Sequence, residues 1–147
     1  MTLVDLVAQR IESEVPELAG AIEGIAELAA LVEQEALPQR DVAAFVVPLG
    51  FDNRGGDQSS VNVHIQILAE AVGVVLCIKA RGDVKASKAL PKIDALVQKV
   101  ITKLAGWAPD DAVGVFYATR GRLIPGGKGI ILYQIDFELM DQLRIVS

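Results

Sequence analysis

One stretch constrains the fold more than any other, residues 70–107. An apolar run, Val72-Gly73-Val74-Val75-Leu76-Cys77-Ile78, lies between Glu70 and Lys79 and leads through Arg81-Gly82-Asp83 into the strongest amphipathic pattern of the chain. The run is apolar at consecutive positions, so as a strand it needs cover on both faces. Leu90, Ile93, Val97, Val100, Ile101 and Leu104 then recur at helical spacing over residues 84–105, with Lys85, Lys88, Lys92, Lys99 and Lys103 on another face. Asp83 is the expected N-cap. Gly106 suits the position just past a helix end, and Trp107 is expected to anchor that end to the sheet. A strand that feeds a helix packing back over a sheet is the frame for everything else.

The flanking segments supply the remaining layers. Leu3, Leu6, Val7 and Ile11 predict a helix over residues 3–14, with Thr2 as N-cap and Pro16 as its stop. Ile25, Leu28, Leu31 and Val32 predict a second helix, from Ile22 or Ile25 to Glu35, closed by Leu37-Pro38. Residues 43–51 predict a strand covered on both faces; Pro48 places it at a sheet edge or puts a bulge in it. Residues 52–60 are polar and glycine-rich and predict a mobile loop. Val61, Val63, Ile65 and Ile67 alternate with Asn62, His64 and Gln66 and run on into the 72–78 stretch. One long strand is predicted, bent or bulged near 69–73, with a short helix at 66–71 as the competing reading. Residues 112–124 and 130–143 predict a long-armed hairpin turning at Pro125-Gly126-Gly127-Lys128-Gly129. The expected fold class is α+β: a mixed, mainly antiparallel sheet of about four strands with two or three helices packed on it. Its 147 residues fit a single domain, 1–147.

Charge and composition narrow the function. Apolar residues make up 52% of the chain, which argues against disorder. No apolar stretch approaches the roughly 18 residues of a membrane span, and Asp5, Gln9 and Arg10 interrupt anything like a secretory signal. A cytosolic protein without a membrane partner is expected. Residues 1–60 carry a net charge of −8 and residues 61–147 one of +3. Such a division marks either faces that meet another molecule or two solvated faces of a monomer.

No catalytic or cofactor motif emerges. Gly121-Arg122-Leu123-Ile124-Pro125-Gly126-Gly127-Lys128-Gly129 fails as a phosphate loop: the glycine-to-lysine spacing is off by one, no Ser or Thr follows Lys128, and a strand comes next. His64 is the only histidine and Cys77 the only cysteine, which exclude a multi-histidine metal site and an intrachain disulfide within one chain. Cys77 reads as a buried small hydrophobe. Asp110 and Asp111 are adjacent and read as loop residues, not an acid/base pair. The lysine stripe has no interleaved aromatics and the chain is acidic overall, so nucleic acid is disfavoured as a partner. No cofactor, metal or enzymatic activity is expected. Charged residues at the loop, the lysine helix and the hairpin are the candidates for subunit or partner contact: Asp52, Arg54, Asp57, Lys92, Lys99, Lys103, Arg120, Arg122 and Lys128.

Three stretches taken in order resemble a known family: residues 20–31 (GAIEGIAELAAL), residues 43–50 (AAFVVPLG) and residues 104–109 (LAGWAP). Gly121-Arg122-Leu123 and Tyr133-Gln134-Ile135-Asp136-Phe137 follow at the usual distance. Over residues 15–140 the chain is similar to the phage tail terminator-like proteins of tailed phages and prophages. Tyr133 stands where the family has Trp, and the 125–129 turn is richer in glycine, so the hairpin tip is where its contacts would differ. The resemblance implies a structural virion assembly protein that caps the tail tube as a ring, typically a homohexamer. It further implies an end to tube polymerisation and a role in joining head and tail. Its partners would be itself, the tail tube protein and a connector or neck protein. Its place would be the host cytoplasm during assembly and then the virion tail. A ring uses one face against a different face of the next copy, and the acidic first 60 residues and the basic remainder, with Lys92, Lys99 and Lys103, are expected to supply the two. The alternatives are a monomeric adaptor and a small-ligand-binding α/β domain.

Overall fold

A computed structural model describes residues 2–33, 41–80, 89–109, 114–125 and 129–146. The elements in order are α1 (Leu3–Glu14), a 3₁₀ turn (Pro16–Leu18), β1 (Ile22–Glu23), α2 (Ile25–Glu33), β2 (Val42–Asn53), β3 (Gln58–Ser59), β4 (Val63–Lys79), α3 (Ala89–Leu104), β5 (Phe116–Pro125) and β6 (Ile130–Val146). The α+β class stands. The described sheet has six strands where about four were expected, in the order β1-β2-β4-β6-β5 with β3 paired to β4. Of its pairings only β1 with β2 is parallel.

The first helix forms where its local signals put it. The Thr2 hydroxyl accepts from the Asp5 N–H while the Asp5 carboxylate accepts from the Thr2 N–H, a reciprocal cap. That bond to the backbone holds the Asp5 carboxyl below its ordinary value. Val7 and Ile11 are buried, and Pro16 opens the 3₁₀ turn after the helix. The second helix starts at Ile25, not Ile22, because Ile22 and Glu23 pair in parallel with Ala44 and Phe45. Its expected end at Glu35 and the Leu37-Pro38 closure lie outside the described residues.

The central strand is as long as the sequence promised. β4 and β6 are 17 residues each, about 56 Å at 3.3 Å per residue. Their register runs without a break from Val63 opposite Val146 to Lys79 opposite Ile130. The competing helix at 66–71 does not form. The bulge expected in β4 near 69–73 sits instead in its neighbour, between Pro48 and Gly50 of β2. Gly73 suits the position: a Cβ there would meet Val47 Cγ2 and Leu49 Cδ1 at 3.2 Å, a tight approach that glycine relieves beside the bulged side chain. Pro48 satisfies both of its expected conditions. It adjoins the bulge, and β1 covers β2 only at Ala44 and Phe45, so Pro48 lies on an open edge.

Strand parity separates two cores. Ala44, Val46, Val72, Val74, Leu76, Ile78, Phe116, Ile135, Phe137 and Leu139 face α1 and α3. Ala43, Phe45, Val75, Cys77 and Leu132 face Leu31 of α2 on the other side. The α3 stripe is Ala89, Ile93, Leu96, Val97, Val100 and Leu104. Ile93, Val97, Val100 and Leu104 are buried as expected and Ile101 packs at the margin of the core, but Leu90, expected on that stripe, is exposed and Ala89 takes the buried position at its start. Asp83, Lys85 and Lys88 lie outside the described residues, as does the start predicted at 84. At the other end Gly106, at φ 81°, donates to Phe116 O, and Phe116 N–H donates to Trp107 O. Trp107 stacks on Phe116 at 5.8 Å, so the helix end is tied to the sheet as expected.

Other expectations are corrected by tertiary pairing. Asp52 and Asn53 belong to β2, and Gln58 and Ser59 to β3; both strands pair with β4 along one edge, so 54–57 is a short interruption between them and the chain turns back into β4 at 60–63. The strand predicted over 43–51 is covered on both faces only to Val47; Leu49 and Phe51 are exposed. β4 begins at Val63, so Val61 falls before it and is exposed. β5 begins at Phe116 rather than 112, and β6 runs to Val146 rather than 143.

Candidate functional site

The lysine helix does not present a free basic face. Lys99 Nζ lies 2.8 Å from Glu17, and Lys103 Nζ lies 3.8 Å from Glu14. Arg10 reaches Glu14 at 3.4 Å, donates through Nε to Lys103 O at 3.0 Å, and stands 5.1 Å over the Trp107 ring. Part of the acidic first half is therefore matched to part of the basic second half inside one molecule. Lys92 is exposed on α3 and forms no ion pair among the described residues.

Asp52, Arg54 and Asp57 gather where β2 gives way to β3 along the edge of β4. Arg54 donates to both carboxylate oxygens of Glu138, at 2.8 and 3.0 Å, and lies 4.0 Å from Asp52. Glu138 is on β6, two strands away, so Arg54 crosses β4. The small Ala69 and Ala71 lie on the face it crosses, opposite Asp52 and Glu138. Asn53 Nδ2 donates to Asp57 at 3.1 Å, and Asn53 Oδ1 accepts from the Gly55 N–H at 3.1 Å. Arg54→Ala is expected to cost about 0.5–1 kcal/mol, since the pair is half-exposed and rests on one nitrogen, Nη2, shared between both oxygens. Faster amide exchange at Ile67, whose N–H bonds to Gly55 O, with unchanged exchange in α3, checks it.

Arg120 and Arg122 sit on β5 at the opposite edge of the sheet. The bulge at Thr119 puts Arg120 opposite Asp136 and Arg122 opposite Gln134. Gln134 donates to Asp136 at 2.7 Å. Neither arginine forms an ion pair among the described residues. Lys128, with Gly126 and Gly127, lies outside the described residues, as do Arg81-Gly82-Asp83 and Asp110-Asp111. The eight described charged candidates thus fall in separate places and do not converge on one site.

A further surface escaped the sequence reading. Past the helices, β2, β4 and β6 continue as a projecting blade. Phe51, Leu68, Glu70, Asp141 and Leu143 line an open cleft of about 290 Å³ on its α1/α3 face. Phe51 is 68% exposed, and Met140, Ile145 and Val146 are also exposed on the blade. The signal was present in Pro48: a bulge beside it inverts the alternation, so Phe51 faces opposite to where strict parity would send it.

The two single-copy reactive residues have structural partners. Ser59 Oγ and His64 Nδ1 are 2.5 Å apart and His64 Nε2 and Gln66 Oε1 2.7 Å apart, a chain that pins β3 to β4. Gln66 carries no charge to steady an imidazolium, unlike the acid of a hydrolytic triad. Cys77 is fully buried, and desolvation pushes its thiol up from 9.0 to about 11. The unfolded chain releases that proton near pH 9 while the folded chain holds it, so stability should fall as pH rises from 9 to 11. The fall in urea midpoint across that window should shrink in Cys77→Ala. Among the described residues no cluster of three His, Cys, Asp or Glu is placed to hold a metal ion, and no helix is long and apolar enough to cross a membrane.

The described residues form an α+β domain whose sheet leaves apolar and charged side chains exposed. The family profile described as "Phage tail terminator protein" matches residues 2–145, nearly the whole length. The chain belongs to the phage tail terminator family, a structural family of phage tail assembly. No curated protein matches the chain.

Proposed function

We propose that this protein caps the phage tail tube as a ring of identical copies, the homohexamer its family resemblance implies, so ending tube polymerisation and offering a surface to the head or neck. The family match over residues 2–145 carries the reading. The projecting blade, with Phe51, Met140, Ile145 and Val146 exposed, supports it as surface that a further chain would cover. Of the charged candidates, Arg120, Arg122 and Lys92 are those whose charge the described fold leaves unmatched; Lys99, Lys103 and Arg54 already hold internal partners. Assembly takes place in the host cytoplasm and the product stays in the virion tail. Electron microscopy of the protein with polymerising tube protein tests the reading. The expected result is shorter tubes bearing a ring at one end; unchanged tube length and a monomer at every concentration would sink it.

A further inference from the structure

We propose that the blade cleft receives the β5 edge of a second copy, with Tyr117, Arg120 and Arg122 seated against Phe51, Glu70 and Asp141. This rests on the ring reading and names the contact that would build the ring. Strand pairing puts Tyr117, Arg120 and Arg122 on one face of β5, opposite Glu138, Asp136 and Gln134. The cleft is on the other face of the sheet: Glu70 is opposite Leu139, which packs in the α1/α3 core. The sheet therefore stands between the two patches, and no molecule can bring its own β5 edge into its own cleft.

The patches are complementary in charge and shape. The charged side chains of the cleft are Glu70 and Asp141, both acidic, beside the apolar Phe51, Leu68 and Leu143. The β5 patch carries two arginines without ion pairs and a tyrosine that is 55% exposed. A guanidinium can bond a carboxylate and lie on the Phe51 ring at once, and a tyrosine fills an apolar recess while keeping its hydroxyl wet. Two different patches meeting head to tail make a heterologous contact, the kind that closes into a ring when the rotation allows. Among the described residues the α3 end is bonded to the β5 edge only at Phe116.

Paired charge reversals test the contact. Glu70→Arg/Asp141→Arg and Arg120→Glu/Arg122→Glu should each weaken self-association by roughly a hundredfold or more, because like charges are brought together. Circular dichroism should show both variants folded, as all four side chains are at the surface. Mixing the two variants should restore assembly, since each supplies the face the other has lost, and sedimentation equilibrium reads the mass. Rings that persist in both variants would overturn this contact and leave the ring reading intact. Failure of the mixture to recover would also overturn it. A wild-type protein that stays monomeric with tube protein would overturn both readings. Retained self-association with lost binding of tube protein would assign the cleft to the tube instead.

Discussion

Replacing Phe116 by alanine is expected to lower the unfolding free energy by about 3–5 kcal/mol, a large share of the roughly 5–15 kcal/mol that holds a domain of this size. Phe116 is 1% exposed and sits between two aromatic partners. It stacks on Trp107 at 5.8 Å and meets Phe137 edge-on at 6.4 Å. Its backbone closes the α3 end through Gly106 and Trp107, and Arg10 of α1 stands 5.1 Å over the ring of that tryptophan. Removing the ring opens a cavity where α1, α3 and the first turn of β5 meet. Trp107 is the only tryptophan, so its emission reports on that junction directly. The variant should show a red-shifted native emission and a lower urea midpoint. A loss below about 1 kcal/mol would mean that the junction repacks and that the stack does not hold it.

Gly114→Ala is the second large effect, expected at about 1–3 kcal/mol. A Cβ at Gly114 would fall inside the contact radius of the Met140 carbonyl oxygen. That obstacle is backbone of β6, which cannot rotate aside as a side chain does. The chain entering β5 would have to lift away from β6, where Phe116 pairs with Leu139. Gly106→Ala offers the contrast. Nothing lies within 4 Å of a Cβ there, but φ is 81°, so its cost is backbone strain alone, about 1–2 kcal/mol. Amide exchange separates the two: Gly114→Ala should loosen β5 against β6, and Gly106→Ala the α3 end. Equal exchange in β5 for wild type and Gly114→Ala would refute the first.

The sequence was most legible where structure is local. Thr2, Asp5 and Pro16 lie within a few residues of the helix they delimit, so α1 could be read to its ends. The long β4 was legible because seven consecutive apolar residues demand cover on two faces. Its neighbours were less so. Ile22 and Glu23 form a strand only because Ala44 and Phe45 lie beside them. Gln58 and Ser59 are polar residues in a glycine-rich stretch, and only His64 and Ile65 across the gap make them a strand. The first position of the α3 stripe shows the same limit. Leu90 and Ala89 both fit a helical repeat, and the sheet decided between them by burying Ala89. The candidate contacts suffered most, because a sequence counts charges without pairing them: Lys99 and Lys103 looked like a free face until Glu17 and Glu14 were found beside them.

The amino-acid sequence by itself determined the class of fold, the buried central strand, the helix that closes at Gly106 and Trp107, and the order of motifs that marks the phage tail terminator family. These follow from periodicity, capping and spacing, which act over a few residues at a time. Only the tertiary structure decided where β2 bulges, which end of the sheet projects beyond the helices, and which charges remain for another molecule. Those depend on residues far apart in the chain, such as Arg54 and Glu138 or Gly73 and Leu49. Their energies exist only once the sheet has brought them together.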